Sequence, residues 1–359
     1  MPKVNVTKTY LPSIEKYKTY IDEIYKNNWV TNNGPLVQRL EKRLAEYLGV
    51  KNVVLVSSGT TALEIAYRTL DLKGFVVTTP FSFVATTSSL VTNNLFPIFA
   101  DINQDTLNIS VDNIKNVLTK NTSAILPVHI FGNVCDVEAI DSLAKDNNLK
   151  VIYDASHAFG LKYKEKSILR YGDISTLSFH ATKLFHTIEG GALIINDDTL
   201  VEKARYLINF GIKNPETIPE LGTNAKMNEF EAAMGLCVLD DLNLILKNRE
   251  HVYSRYYLAL KDSVVFPKLK QDTTQNYSYF PIVLKSEKQR ASIQKALNDQ
   301  NIHPRRYGYP SLDTLNYIEP KQYAQVSRDI SKRILCLPLY PDLEVEKQEN
   351  IIHIIKANL

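Results

Sequence analysis

Cysteine is scarce in this chain: Cys135, Cys237 and Cys336 are the only three in 359 residues, far apart and odd in number. Neither a disulfide framework nor a metal-ligand set can be built from that spacing, so they read as reduced thiols and no metal is expected. Long apolar runs are missing too, and the N-terminus carries no leader pattern, so a cytoplasmic protein with no membrane partner is expected. Charge of one sign is not in excess. Lys and Arg total 42 against 39 Asp and Glu, and a net +3 is too mild to argue for nucleic acid. No glycine loop is followed by Gly-Lys-Thr/Ser, and no Gly-x-Gly-x-x-Gly occurs, which excludes a Walker loop and argues against a nicotinamide dehydrogenase. Internal repeats and low-complexity linkers are absent as well.

What is present is an ordinary globular composition, 44% apolar and 23% charged, at a length that suits two domains. The first two-thirds alternates strand-like and helix-like segments, the pattern of an α/β protein with a mainly parallel sheet. Strands are expected over 53–56, 75–79, 96–101, 124–129, 151–154, 174–179 and 192–195. Helices are expected over 37–48, where Val37, Leu40, Leu44 and Leu48 mark one face, and over 137–146. Near the C-terminus, 277–284 alternates like a half-exposed strand, 289–299 and 346–355 read as helices, and 302–310 as a basic, aromatic loop. Those elements suit a small α+β domain.

Three segments carry chemistry. In Ser178-Phe179-His180-Ala181-Thr182-Lys183, followed by Glu189-Gly190-Gly191, a lysine stands just past a strand-like run. Partly shielded from water, such an amine loses its proton readily and becomes a nucleophile, as a Schiff-base lysine must. In Val151-Ile152-Tyr153-Asp154-Ala155-Ser156-His157, Asp154 falls where a buried strand ends. Strand carboxyl ends in an open parallel sheet border the ligand crevice, so Asp154 and Lys183 would both face it. A carboxylate there can pair with a pyridinium nitrogen; alternatively, Asp154 caps a helix with His157 in its first turn. In Val54-Leu55-Val56-Ser57-Ser58-Gly59-Thr60-Thr61-Ala62, a β-branched run breaks and restarts with helical periodicity. That is a strand, a turn and a helix N-terminus, where free N–H groups and the dipole favour a phosphate.

In that order, with Asn28-Trp29-Val30-Thr31-Asn32-Asn33-Gly34-Pro35, Pro80-Phe81-Ser82-Phe83, Pro127-Val128-His129, Asn224-Ala225-Lys226-Met227-Asn228-Glu229 and Arg305-Arg306-Tyr307-Gly308-Tyr309-Pro310, the chain resembles the DegT/StrS sugar-nucleotide aminotransferases. The resemblance implies a fold-type I transferase: a large mainly parallel-sheet domain over 1–240 and a smaller C-terminal α+β domain over 241–359, joined along a long helix. It implies pyridoxal 5′-phosphate as cofactor, with Lys183 as the catalytic lysine. Asp154 would hold the ring nitrogen and His157 the ring or its phenolic oxygen. Gly59, Thr60, Thr61 and Ser178 would hold the phosphate, and Phe83 would lie over the pyridine. Asn224 and Lys226 would reach the partner subunit's cofactor in a homodimer, with lysine where the family more often has arginine. His129 and Glu189 would line or shape the site, or be satisfied by hydrogen bonds behind it. Arg305, Arg306, Tyr307 and Tyr309 would bind a nucleotide-linked sugar; Asn32 and Asn33 would reach sugar hydroxyls or simply make a turn.

The implied reaction moves an amino group from glutamate to a nucleotide-linked keto sugar. Ser-Phe-His-Ala-Thr-Lys with Thr187-Ile188-Glu189-Gly190-Gly191 is most similar to VioA-type members that aminate C4 of a 4-keto-6-deoxyhexose, dTDP-linked above all. The alternatives are a C3 aminotransferase and a non-catalytic binding protein on the same fold. Lys183 argues against relatives that carry histidine there and act as dehydratases.

Overall fold

The computed structural model describes residues 3–359. Seven strands form the central sheet: β1 (Val53–Val56), β2 (Phe75–Thr78), β3 (Phe96–Phe99), β4 (Thr122–Leu126), β5 (Lys150–Asp154), β6 (Ile174–Ser178) and β7 (Gly191–Ile195). Their spatial order is β1-β7-β6-β5-β4-β2-β3. All pairings are parallel except those of β7, which runs antiparallel to both neighbours. Each expected strand is present, most with ends shortened or shifted by a residue or more. The sheet is buried on both faces, which is why its strands read as continuous apolar runs. Val53 and Leu55 enter one core with Leu36, Leu40 and Leu44 of the helix α1 (Pro35–Leu48). Val54 and Val56 enter the other with Ala62, Ile65 and Ala66 of α2 (Gly59–Thr69). The outer edge of β1 is covered: Leu55 N donates to Glu41 Oε1 at 3.0 Å, and Arg205 neutralises that carboxylate.

The carboxyl ends of β1, β5 and β6 lie at one edge of the sheet, where β7 begins. That edge gathers the Ser57–Thr61 turn, Asp154 and the segment from Ser178 to Lys183.

A 32-residue helix, α3 (Glu229–Leu260), starts at a capping box in which Asn228 and Glu231 satisfy each other's backbone. Its residues as far as Ile245 pack in the core of the large sheet, whereas Val252, Tyr256 and Leu260 pack in a separate C-terminal core. Val4–Asn5 pairs with Ile302–His303 beside that second core. The run 277–284 differs from expectation. Only β8 (Pro281–Val283) is a strand, paired antiparallel with β9 (Ile334–Cys336), and neither face is exposed. Tyr279 and Val283 enter one apolar cluster and Phe280, Ile282 and Leu284 another. The alternation is real, but both faces are covered. Among the described residues no helix is long and apolar enough to cross a membrane.

Candidate active site

A cleft of about 1100 Å³ opens at that sheet edge. Its floor at one end is the turn after β1. Ser58 caps α2: its Oγ accepts from Thr61 N at 3.1 Å and bonds Thr61 Oγ1 at 2.8 Å. Thr61 is therefore spent inside the turn and does not line the cleft, whereas Ser58, Gly59 and Thr60 do. The first N–H groups of a helix have no intrahelical acceptor, so this turn presents free donors. The packing here is tight. A Cβ on Gly59 would stand 2.6 Å from Ser178 Cβ, and one on Gly191 would stand 2.6 Å from the Ser58 carbonyl carbon. Gly59→Ala is accordingly expected to push the turn off the end of β6. A loss of about 1–3 kcal/mol by urea unfolding should accompany weaker cofactor retention.

Asp154, at the end of β5, is almost fully buried. Its Oδ2 accepts from Thr86 Oγ1 at 2.9 Å and its Oδ1 from Ser156 N at 3.1 Å. It thus supports no helix cap, and it is held by neutral donors only. His157 is also buried; its Nδ1 accepts from Phe131 N at 3.1 Å, which places the ring proton on Nε2. Burial, with the nearby Lys183 charge, pushes its pKa well below the ordinary value, so the ring is neutral.

Lys183 is half-buried, with its Nζ donating to Tyr279 Oη at 3.5 Å. Loss of hydration pulls its pKa down to about 8, Asp154 opposing and the Arg305 cation assisting. Tyr279 escaped the sequence reading, since nothing in a strand-like apolar run marks it. Its ring lies 4.5 Å from that of His157, and burial raises its phenol far above the ordinary value, so it remains O–H. Behind it, buried Arg249 donates to Tyr277 O at 2.9 Å and Ser278 O at 2.7 Å, and Asn276 donates to the His157 and Phe159 carbonyls. Tyr279→Phe should retain cofactor but lower kcat about five- to tenfold, the size of one neutral hydrogen bond. An unchanged kcat in steady-state assays would remove Tyr279 from the catalytic group.

The other expected residues divide. Phe83, Ser178, Glu189, Arg305 and Tyr307 line the cleft with Lys183, and so does His180, whose Nε2 is 3.5 Å from Glu189 Oε1. Arg306 and Tyr309 stack on each other outside that lining, guanidinium carbon 3.3 Å from the ring centre. His129 is fully buried behind the site, stacked on Tyr153 at 4.8 Å and accepting from Cys135 N. Asn32 and Asn33 are exposed, in left-handed backbone with φ of 57° and 56°, away from the cleft. Asn224 is exposed, and Lys226 donates to Asn209 at 2.8 Å over the Phe210 ring; neither lines its own chain's cleft.

The sequence pattern of the DegT/DnrJ/EryC1/StrS aminotransferase family matches residues 13–356. The chain belongs to that family. It is 43% identical to a dTDP-4-amino-4,6-dideoxy-D-glucose transaminase of Shigella dysenteriae, over 98% of each chain. A protein of the same name from Escherichia coli is 38% identical over 96% of this chain and 95% of its own. The crystal structure of DesI in the presence of its TDP-sugar product superimposes with a TM-score of 0.94 at 28% identity, covering 99% of this chain and 93% of that one. This protein is therefore a pyridoxal-phosphate-dependent aminotransferase with the family's α/β fold.

The cleft suits that cofactor. A helix N-terminus with free N–H groups suits a phosphate, and a buried carboxylate lacking a direct cationic partner suits a protonated ring nitrogen. Lys183 lines the same cleft, and the half-exposed Phe83 ring offers a flat apolar face.

Proposed function

We propose that this aminotransferase moves an amino group from glutamate to C4 of dTDP-4-keto-6-deoxyglucose, giving a 4-amino-4,6-dideoxy sugar nucleotide. The carrying observation is 43% identity, over nearly its full length, to a relative named for that product. When bound, pyridoxal phosphate supplies an electron sink for the pair left when a proton departs the carbon bearing nitrogen. Asp154 keeps the ring nitrogen protonated, and Thr86 and Ser156 hold that carboxylate in place. The turn at Ser58–Thr60, with Ser178, binds the phosphate, and Phe83 excludes water from one face. Lys183 Nζ takes the proton from the donor α-carbon and, in the second half of the cycle, delivers one to the sugar carbon. A pKa of about 8 lets one amine both accept and release it near neutral pH.

The working protein in this reading is a cytoplasmic homodimer feeding surface-polysaccharide synthesis, with the chain dividing near residue 240 within α3. Asn224 and Lys226 lie outside their own cleft, which supports their reaching the partner's phosphate. Arg306 and Tyr309 would serve the nucleotide diphosphate from outside that lining, and Asn32 and Asn33 would reach sugar hydroxyls. Product analysis decides the sugar. Wild-type enzyme with glutamate and dTDP-4-keto-6-deoxyglucose should yield an amine at C4, and an amine at C3, or no product, would overturn the assignment.

A further inference from the structure

The basic, aromatic segment after Ile302–His303 does not act as one cluster. Arg305 and Tyr307 face the cleft with Lys183, while Arg306 and Tyr309 do not. The Arg305 backbone is clamped on both sides, its N donating to Cys336 O at 3.0 Å and its O accepting from Cys336 N at 2.8 Å. Its guanidinium rests 4.7 Å from the Tyr307 ring centre, Tyr307 packs edge-on to Tyr279 at 5.1 Å, and Tyr279 reaches Lys183. Among the described residues no carboxylate pairs with Arg305. The cleft's own acids are engaged elsewhere: Asp154 with Thr86 and Ser156, Glu189 beside His180. Arg305 is exposed to the cleft, so a ligand can reach it.

A guanidinium held against Tyr307 with no carboxylate partner, lining the same cleft as the proton-carrying amine, is a site for a small planar anion. In the amino donor, a carboxylate is bonded directly to the carbon whose proton Lys183 takes. In the sugar nucleotide, the diphosphate leaves from the far side of the hexose ring and lies well away from C4. We propose that Arg305 binds the α-carboxylate of the amino donor in the first half-reaction, and is not the diphosphate site. In the second half-reaction the same guanidinium meets only neutral sugar hydroxyls. Its removal therefore costs the two half-reactions unequally, because a charge-assisted bidentate pair is stronger than a neutral hydrogen bond. The inference rests on the aminotransferase reading, but not on which sugar is used.

The test follows each half-reaction separately by absorbance, in wild type, Arg305→Gln and Arg305→Lys holoenzyme. Arg305→Gln should raise the half-saturating glutamate concentration about tenfold or more, Arg305→Lys less. Starting from the pyridoxamine-phosphate form, half-saturation by the keto-sugar nucleotide should change less than about threefold. Glutarate, an unreactive dicarboxylate, should perturb the chromophore of wild type and lose that effect in Arg305→Gln. A rise confined to the sugar half-reaction would return Arg305 to the diphosphate, and no change in either would leave it without an anion role. Should Arg305→Gln fail to fold or hold cofactor, the glutarate titration of Arg305→Lys carries the same decision. If wild type rejects the keto sugar yet its glutamate step depends on Arg305, the sugar assignment falls and this one stands.

Discussion

Lys183→Ala is expected to abolish aminotransfer, by at least about 10⁴-fold, without unfolding the protein. The amine has two duties that no neighbour can assume: covalent attachment of the cofactor and carriage of the proton. Tyr279 stays protonated because burial raises its pKa, and His157 already accepts from Phe131 N. The phosphate turn, Asp154 and Phe83 remain in the variant, so cofactor should still bind, though not covalently. Borohydride reduction followed by intact mass measurement reads the attachment. Wild type should gain the cofactor mass and the variant should not, and turnover above about one per cent of wild type would refute the role.

Asp154→Asn should be the second most damaging single change, lowering kcat about 10²- to 10³-fold, the scale of losing one charged stabiliser in a closed site. Asn keeps the shape and can still bond Thr86 or Ser156, so a folding defect is not the expected cause. The substitution also tests the electrostatics with a definite sign. Asp154 favours the charged form of Lys183 and so opposes the burial that pulls its pKa down to about 8. Removing that carboxylate should lower the Lys183 pKa further. In apo protein, covalent attachment of added cofactor requires the neutral amine: for wild type it should be lost as pH falls through about 8, and for Asp154→Asn the midpoint should move to lower pH. A midpoint that rises, or a kcat within a few fold of wild type, would show that Asp154 does not act through its charge.

The chain's local pattern determined a good deal. Strand-forming runs bounded by turns marked all seven strands of the sheet, because residues buried on both faces must be continuously apolar. Gly59, Asp154 and Lys183 were legible for the same reason: parallel strands pointing one way bring their carboxyl ends to one edge, so order along the chain implies proximity. The alternation of 277–284 was legible too, but its meaning was not, since one periodicity serves a half-exposed strand and a segment between two cores. Thr61 shows a further limit: a hydroxyl of the expected type in the expected turn bonds the Ser58 side chain, a contact that no local pattern marks. Only tertiary structure could bring Tyr279 to Lys183 across 96 residues, or separate Arg305 from its neighbour Arg306. Side-chain direction at such positions depends on the Cys336 ladder and the packed aromatic rings, contacts between segments that no local pattern encodes.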